Sequence, residues 1–271
     1  MRGGRLRDAL VLLALALYAT PFFWQALTSV RPDAELLPLA SLLPSRLTGV
    51  HYQAVFAKSL MPRALLNSLG VAVISTALAV GLGALAGYAL ARLPVPGRGP
   101  ILLAMIAATA FPQIATVSPL YLLMRALGLR DTWLALILAN ASFALPLVIW
   151  LLAGFIREIP CALEEAAATD GADRIAILRW VVLPLVAPGA ASAALLAFLF
   201  SWNEFLFAYS FTATEASRTV PVALALFPGV FEVPWGDIAA ASLLASLPPV
   251  LIVVAFQRYL VRGLLAGALR E

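Results

Sequence analysis

The chain has 271 residues, 63% of them hydrophobic and 12% charged, with a formal net charge of +4. A soluble globular domain carries roughly 45–50% apolar and about 25% charged residues, so water cannot be the solvent for most of this surface. One His and one Cys leave no internal disulfide and too few ligands for a zinc site.

Six stretches lack Asp, Glu, Lys and Arg altogether: 9–30, 64–91, 99–124, 132–156, 180–203 and 238–257. Crossing a hydrocarbon core of about 30 Å takes roughly 20 helical residues, and each stretch is long enough. Only helices or closed barrels satisfy their backbone groups in lipid. These runs are continuously apolar, not alternating as barrel strands are, which predicts an all-α integral membrane protein. The expected spans are about 9–30, 64–91, 100–125, 132–156, 183–210 and 238–258, in a single transmembrane domain over 1–271. The first follows Arg2, Arg5 and Arg7 as a signal peptide would, but it is longer than a 7–15-residue signal core and reads as a retained span.

The segment from Arg31 to Pro62 follows. Pro32, Pro38, Pro44 and Pro62 break it, and it holds the only His (His51) and the only Lys (Lys58). In the second span Gly81, Gly83 and Gly87 lack a dinucleotide-loop spacing, and Gly83-x-x-x-Gly87 reads as a face for close helix packing. Pro94–Gly97 and Gly128–Asp131 are tight turns. The uncharged piece Thr219–Phe231 is too short to span. A phosphate-binding loop needs G-x-x-x-x-G-K-[ST]; Lys58 has no such context, so the chain carries no ATP site of its own. No catalytic residue, cofactor or metal is expected, and no basic patch with interleaved aromatics points to nucleic acid.

Placing the N-terminus in the cytoplasm puts both ends inside. Of the 18 basic residues, eleven then lie on inner segments and seven on outer ones. Cytoplasmic loops carry the excess of Lys and Arg, so this is the expected orientation, and the positive charge is a topology signal.

The longest inner connection, about 157–182, reads as a helix-turn-helix elbow. Pro160 suits a helix start, Glu164 and Glu165 suit its positive end, and Ala166–Ala168 favour helix. Gly171 fits a left-handed stop. A second helix from about Ala172 is expected to carry Ile175, Leu178 and Val182 on one face, and Pro184 opens the fifth span. Such an elbow suits docking of a short helix in a partner's groove, or it is an ordinary interfacial helix. Near the far end of the fifth span, Glu204 is the only acid in a long apolar region and hence a functional candidate, with a structural or gating role favoured. Asn203 beside it could hydrogen-bond a hydroxylated solute.

Glu165-Ala166-Ala167, Gly171 four residues later and Leu183-Pro184 resemble the Glu-Ala-Ala loop of ABC-importer permeases, with Val181 where that family usually has Ile. Asn67-Ser68-Leu69, Tyr88–Arg92, Trp202–Phe205 and Phe256–Gly263 are similar to carbohydrate-importer permeases, closest to the smaller permease subunit of maltose-type systems. The resemblance implies that Glu165, Ala166, Ala167, Asp170 and Gly171, with Glu164 beside them, couple to a cytoplasmic ATPase. It implies a second homologous permease, two ATPase subunits and an extracytoplasmic solute-binding protein as partners. The expected function is import of a small solute, a sugar or related polyol, across a bacterial inner membrane. The alternatives from other classes are an ion-coupled secondary transporter and a non-transporting membrane scaffold.

Overall fold

The computed structural model describes residues 2–36, 43–227 and 233–268, with side chains described except at 2–6, 58 and 258–268. The side chains of Arg2, Arg5, Lys58, Arg258 and Arg262, and also Pro38, Arg270 and the far end of Thr219–Phe231, therefore lie outside the described residues. The described residues form helices and turns and contain no strand.

In chain order the helices are α1 (Arg2–Ser29), α2 (Val50–Lys58), α3 (Met61–Arg92), α4 (Arg98–Thr109), α5 (Gln113–Ala126), α6 (Trp133–Glu158), α7 (Cys161–Thr169), α8 (Arg174–Ile177), α9 (Leu183–Trp202), α10 (Leu206–Phe211), α11 (Val220–Ala225) and α12 (Trp235–Ala268). Five stretches of helix are long and apolar enough to cross a membrane, and the bent pair α4–α5 makes a sixth if taken as one span.

The run expected as one span over 100–125 is thus two helices bent by 92° at a short break. Pro112 precedes α5 with φ −64 and ψ 122. Proline disfavours α geometry at the residue before it, here Phe111. The fifth span is expected to reach residue 210, but α9 ends at Trp202 and α10 starts at Leu206.

The chain divides into two compact units, Met1–Pro62 with Ala223–Leu247, and Arg63–Val222 with Pro248–Glu271. In the second unit, small residues set the helix spacing. Lipid is as apolar as Leu, so membrane helices associate through close van der Waals packing. A Cβ on Gly83 would meet Val148 Cγ1 at 2.6 Å, and one on Gly87 would meet the Ala153 nitrogen at 3.1 Å and Leu152 Cβ at 3.2 Å. The Gly83–Gly87 face therefore lies directly against α6. Gly81 has open space around it and takes no part in the contact. Ala79, Ala84, Ala144, Val148, Leu152, Ala193 and Ala197 form the core that joins α3, α6 and α9.

In the first unit, α1 leaves its most apolar 18-residue window unburied. Its end is anchored where Ser29 Oγ and the Tyr52 hydroxyl of α2 lie 2.9 Å apart.

Candidate functional site

The elbow is built from local rules. Pro160 precedes α7 with an extended ψ of 127. At the other end Asp170, Gly171 and Ala172 donate backbone N–H groups to the carbonyls of Ala166, Ala168 and Ala167, each at 3.0 Å. Gly171 sits at φ +90, a region open to glycine and strained for other residues. Asp173 then caps α8: its Oδ1 accepts from the Ala176 nitrogen at 2.7 Å. Sequence reasoning missed this cap, although Asp before a helix is its ordinary signal.

Past α8, Leu178–Val182 form a widened π-helical turn that runs into α9. The expected shared face is kept only in part. Leu178 and Val182 are buried, whereas Ile175 is 72% exposed. The buried stripe instead starts at Ile177 and continues through Leu178 and Val182.

The elbow is fastened to α3. Arg92 Nε donates to Glu164 Oε1 at 2.5 Å, the Tyr88 hydroxyl donates to Glu164 Oε2 at 3.1 Å, and Arg92 Nη2 donates to the Ile159 carbonyl at 2.6 Å. Both charged side chains are 12% exposed. Beneath them Tyr88, Ala91, Ile156, Ile159, Ile177, Leu178, Val182 and Val186 form a core against which Ala167 and Ala172 also pack.

The six residues expected to couple therefore separate. Glu164 and Ala167 face the body of the unit, while Glu165, Ala166, Asp170 and Gly171 are exposed. Around them stand Leu163 at 46% and Trp180 at 70% exposure, with the Arg179 guanidinium 5.0 Å from the Trp180 ring centre.

Glu204 and Asn203 lie elsewhere, between α9 and α10. Glu204 is buried. Its Oε1 accepts from the Phe207 nitrogen at 2.7 Å and its Oε2 from the Ala208 nitrogen at 3.0 Å, so both oxygens are turned onto backbone donors at the start of α10. The Asn203 side chain is exposed and donates to the Leu199 carbonyl at 2.8 Å.

A second polar cluster ties the loop after α10 to the starts of α3 and α6. Asn67 Nδ2 donates to the Glu215 carbonyl (3.3 Å) and the Arg218 carbonyl (2.8 Å), and Trp133 Nε1 donates to Asn67 Oδ1 at 3.1 Å. Ser68 Oγ accepts from the Val220 nitrogen at 2.8 Å. These contacts give a physical role to the Asn-Ser-Leu triplet, which the sequence offers only as a likeness.

Asp131, read from sequence as part of a turn, is the hub of the same loop. It adopts φ +62, which Asp tolerates better than most residues. Its carboxylate accepts from the Ala213 nitrogen (2.8 Å), the Thr214 nitrogen (3.1 Å), Thr214 Oγ1 (2.7 Å) and Ser217 Oγ. Burial pushes its pKa up, but the hydrogen bonds from Ala213, Ser217 and Thr214 prevail and hold it well below the usual carboxylate range. Among the described residues, no group of three or more His, Cys, Asp or Glu side chains is placed to hold a metal ion.

Comparison with known proteins agrees with this architecture. Residues 79–266 match the family described as the binding-protein-dependent transport system inner membrane component. The chain is 45% identical to the trehalose transport system permease protein SugB of Mycobacterium tuberculosis, over 92% of each. It is 38% identical to the trehalose/maltose transport system permease protein MalG of Thermococcus litoralis, over 100% of this chain and 99% of that one. Its fold matches a chain of a bacterial ABC transporter involved in the import of the acidic polysaccharide alginate, with a TM-score of 0.81 at 22% identity, covering 96% of this chain and 98% of that one. This chain belongs to the family of inner-membrane components of binding-protein-dependent transport systems, the permease subunits of ABC importers.

Proposed function

We propose that this permease moves a sugar or a closely related polyol into the cytoplasm, and that its elbow is the part driven by ATP. The relatives named for trehalose and for trehalose or maltose transport support the solute class. In this reading the chain pairs with a second, homologous permease, two ATPase subunits seat against the two elbows, and an extracytoplasmic binding protein delivers solute. Both termini lie in the cytoplasm. The chain hydrolyses no nucleotide itself.

The observation that carries the coupling role is the two-sided build of the elbow. Its inner side is bonded to α3 through Glu164 and Arg92, while Glu165, Ala166, Asp170 and Gly171 are left exposed beside Leu163, Ile175 and Trp180. Exposed apolar side chains rimmed by charge suit a protein partner. A lever of this kind transmits displacement because it is fixed to the spans at one face and free to be gripped at the other. Glu204, capping α10, and Asn203 are assigned to holding the end of the fifth span for gating.

The test is association. Glu165→Lys reverses an exposed charge, and Gly171→Asp places a charged side chain on the exposed face at the turn where glycine sits at φ +90. Both variants are expected to insert normally, to lose co-purification with the ATPase and to abolish uptake. Retained association with undiminished uptake in both would end the coupling assignment.

A further inference from the structure

The single histidine sits in a setting that the transport role does not use. His51 opens α2 and its side chain is 2% exposed. Nδ1 lies 2.7 Å from Asp237 Oδ1 at the start of α12, and Nε2 lies 2.8 Å from the backbone carbonyl oxygen of Arg31, just after α1. Asp33 Oδ1 is 3.9 Å from Nε2. The ring also lies directly against Gly236, where a Cβ would collide with it.

Among the described residues, every polar atom placed against the ring nitrogens is an acceptor. A neutral imidazole has one N–H and one lone pair. Whichever nitrogen carried the single proton, the other lone pair would face an oxygen lone pair at hydrogen-bond distance. The arrangement is satisfied when the His51–Asp237 pair holds one additional proton, as an imidazolium donating to both oxygens or with that proton shared towards the carboxylate.

The remaining charged and titratable groups nearby are accounted for. The Arg31 guanidinium stacks over the Trp24 ring at 5.5 Å. The Tyr52 hydroxyl is bonded to Ser29. Glu35 is engaged with Ser45, accepting its backbone N–H at 3.0 Å.

We propose that His51 is a proton-operated clasp. In its protonated state it joins the exit of the first span, the start of α2 and the start of the last span within one unit, and loss of the proton releases one of its two bonds. The joint therefore tightens on acidification and loosens as pH rises, which makes this permease sensitive to the pH of the compartment facing α2. A buried ring also explains Gly236, since any larger residue there would evict it.

The test uses the assembled transporter, held at a fixed elevated temperature from pH 6 to pH 8.5, with the fraction remaining assembled read by gel filtration. The natural chain is expected to lose half-life about tenfold across that range, the worth of one hydrogen bond to a charged group. Asp237→Asn supplies a carboxamide N–H that donates to Nδ1 of a neutral ring while Nε2 still donates to the Arg31 carbonyl. That variant is expected to lose the pH dependence and to match, at pH 8.5, the natural chain at pH 6. His51→Gln is expected to be short-lived and flat with pH. Should Gln fail to assemble, Asp237→Asn alone decides. An unchanged pH profile in Asp237→Asn, or a flat profile in the natural chain, overturns the clasp. Assembly is read here, not uptake, so either result leaves the transport assignment standing.

Discussion

The sharpest consequence of the elbow's attachment concerns Arg92 and Glu164. Replacing Glu164 by Ala removes the carboxylate that accepts from Arg92 Nε at 2.5 Å and from the Tyr88 hydroxyl at 3.1 Å. The guanidinium left behind is 12% exposed and keeps only the Ile159 carbonyl. Removing one partner of a buried ion pair leaves an uncompensated charge and costs about 3 kcal/mol, the low end of the usual range. Because Glu164 lies on α7 and Arg92 at the end of α3, that cost weakens docking of the elbow onto the spans. The undocked population then rises about a hundredfold. Force applied at the elbow should be lost before it reaches α3. In proteoliposomes with the complete transporter, Glu164→Ala and Arg92→Met are each expected to keep most ATP hydrolysis but import far less solute per ATP. The double substitution Arg92→Met with Glu164→Leu should recover much of the coupling, since replacing both members of such a pair with apolar residues is often neutral. Uptake per ATP that is unchanged in both single variants, or equally depressed in the double variant, would refute this account.

Two further expectations concern stability. Asp131→Asn keeps a residue that tolerates φ +62 but removes the charge that four donors share, and should lower the stability of the loop after α10 by about 2–3 kcal/mol, read by thermal unfolding of the purified transporter. Asp131 titrates below its unfolded value, so its contribution is fully present above the ordinary carboxylate pKa of about 3.9 and is lost as pH falls below it; the Asn variant should show a shallower acid limb. Gly87→Leu should be strongly destabilising, because its side chain would enter backbone atoms of α6, whereas Gly81→Ala, with open space around it, should be neutral or stabilise by up to about 1 kcal/mol. Equal melting temperatures for the two glycine variants would contradict the packing face.

Much of the elbow was legible from local chemistry. Pro160, the alanines and Gly171 each do one job that depends on their immediate neighbours. The same kind of reading failed for Ile175, which is exposed although Leu178 and Val182, expected on the same face, are buried. It also could not rank Glu164 against Glu165. The two carboxylates adjoin in the chain, and only the reach of Arg92 from another helix directs one inward. Glu204 stood out as a lone acid, but its two backbone donors lie in a short helix that no hydrophobic pattern announces. Asp131 and Asn67 were visible as a turn residue and as part of a likeness, and their partners lie about 80 and 150 positions further along.

By itself the sequence determined the solvent, the number of apolar runs and the elbow, since these follow from composition, span length and the conformational preferences of single residues. Tertiary structure alone decided which elbow residues are held and which are exposed, and that the lone histidine is enclosed between acceptors. Those outcomes depend on side chains that meet from distant parts of the chain, and no local preference encodes the meeting.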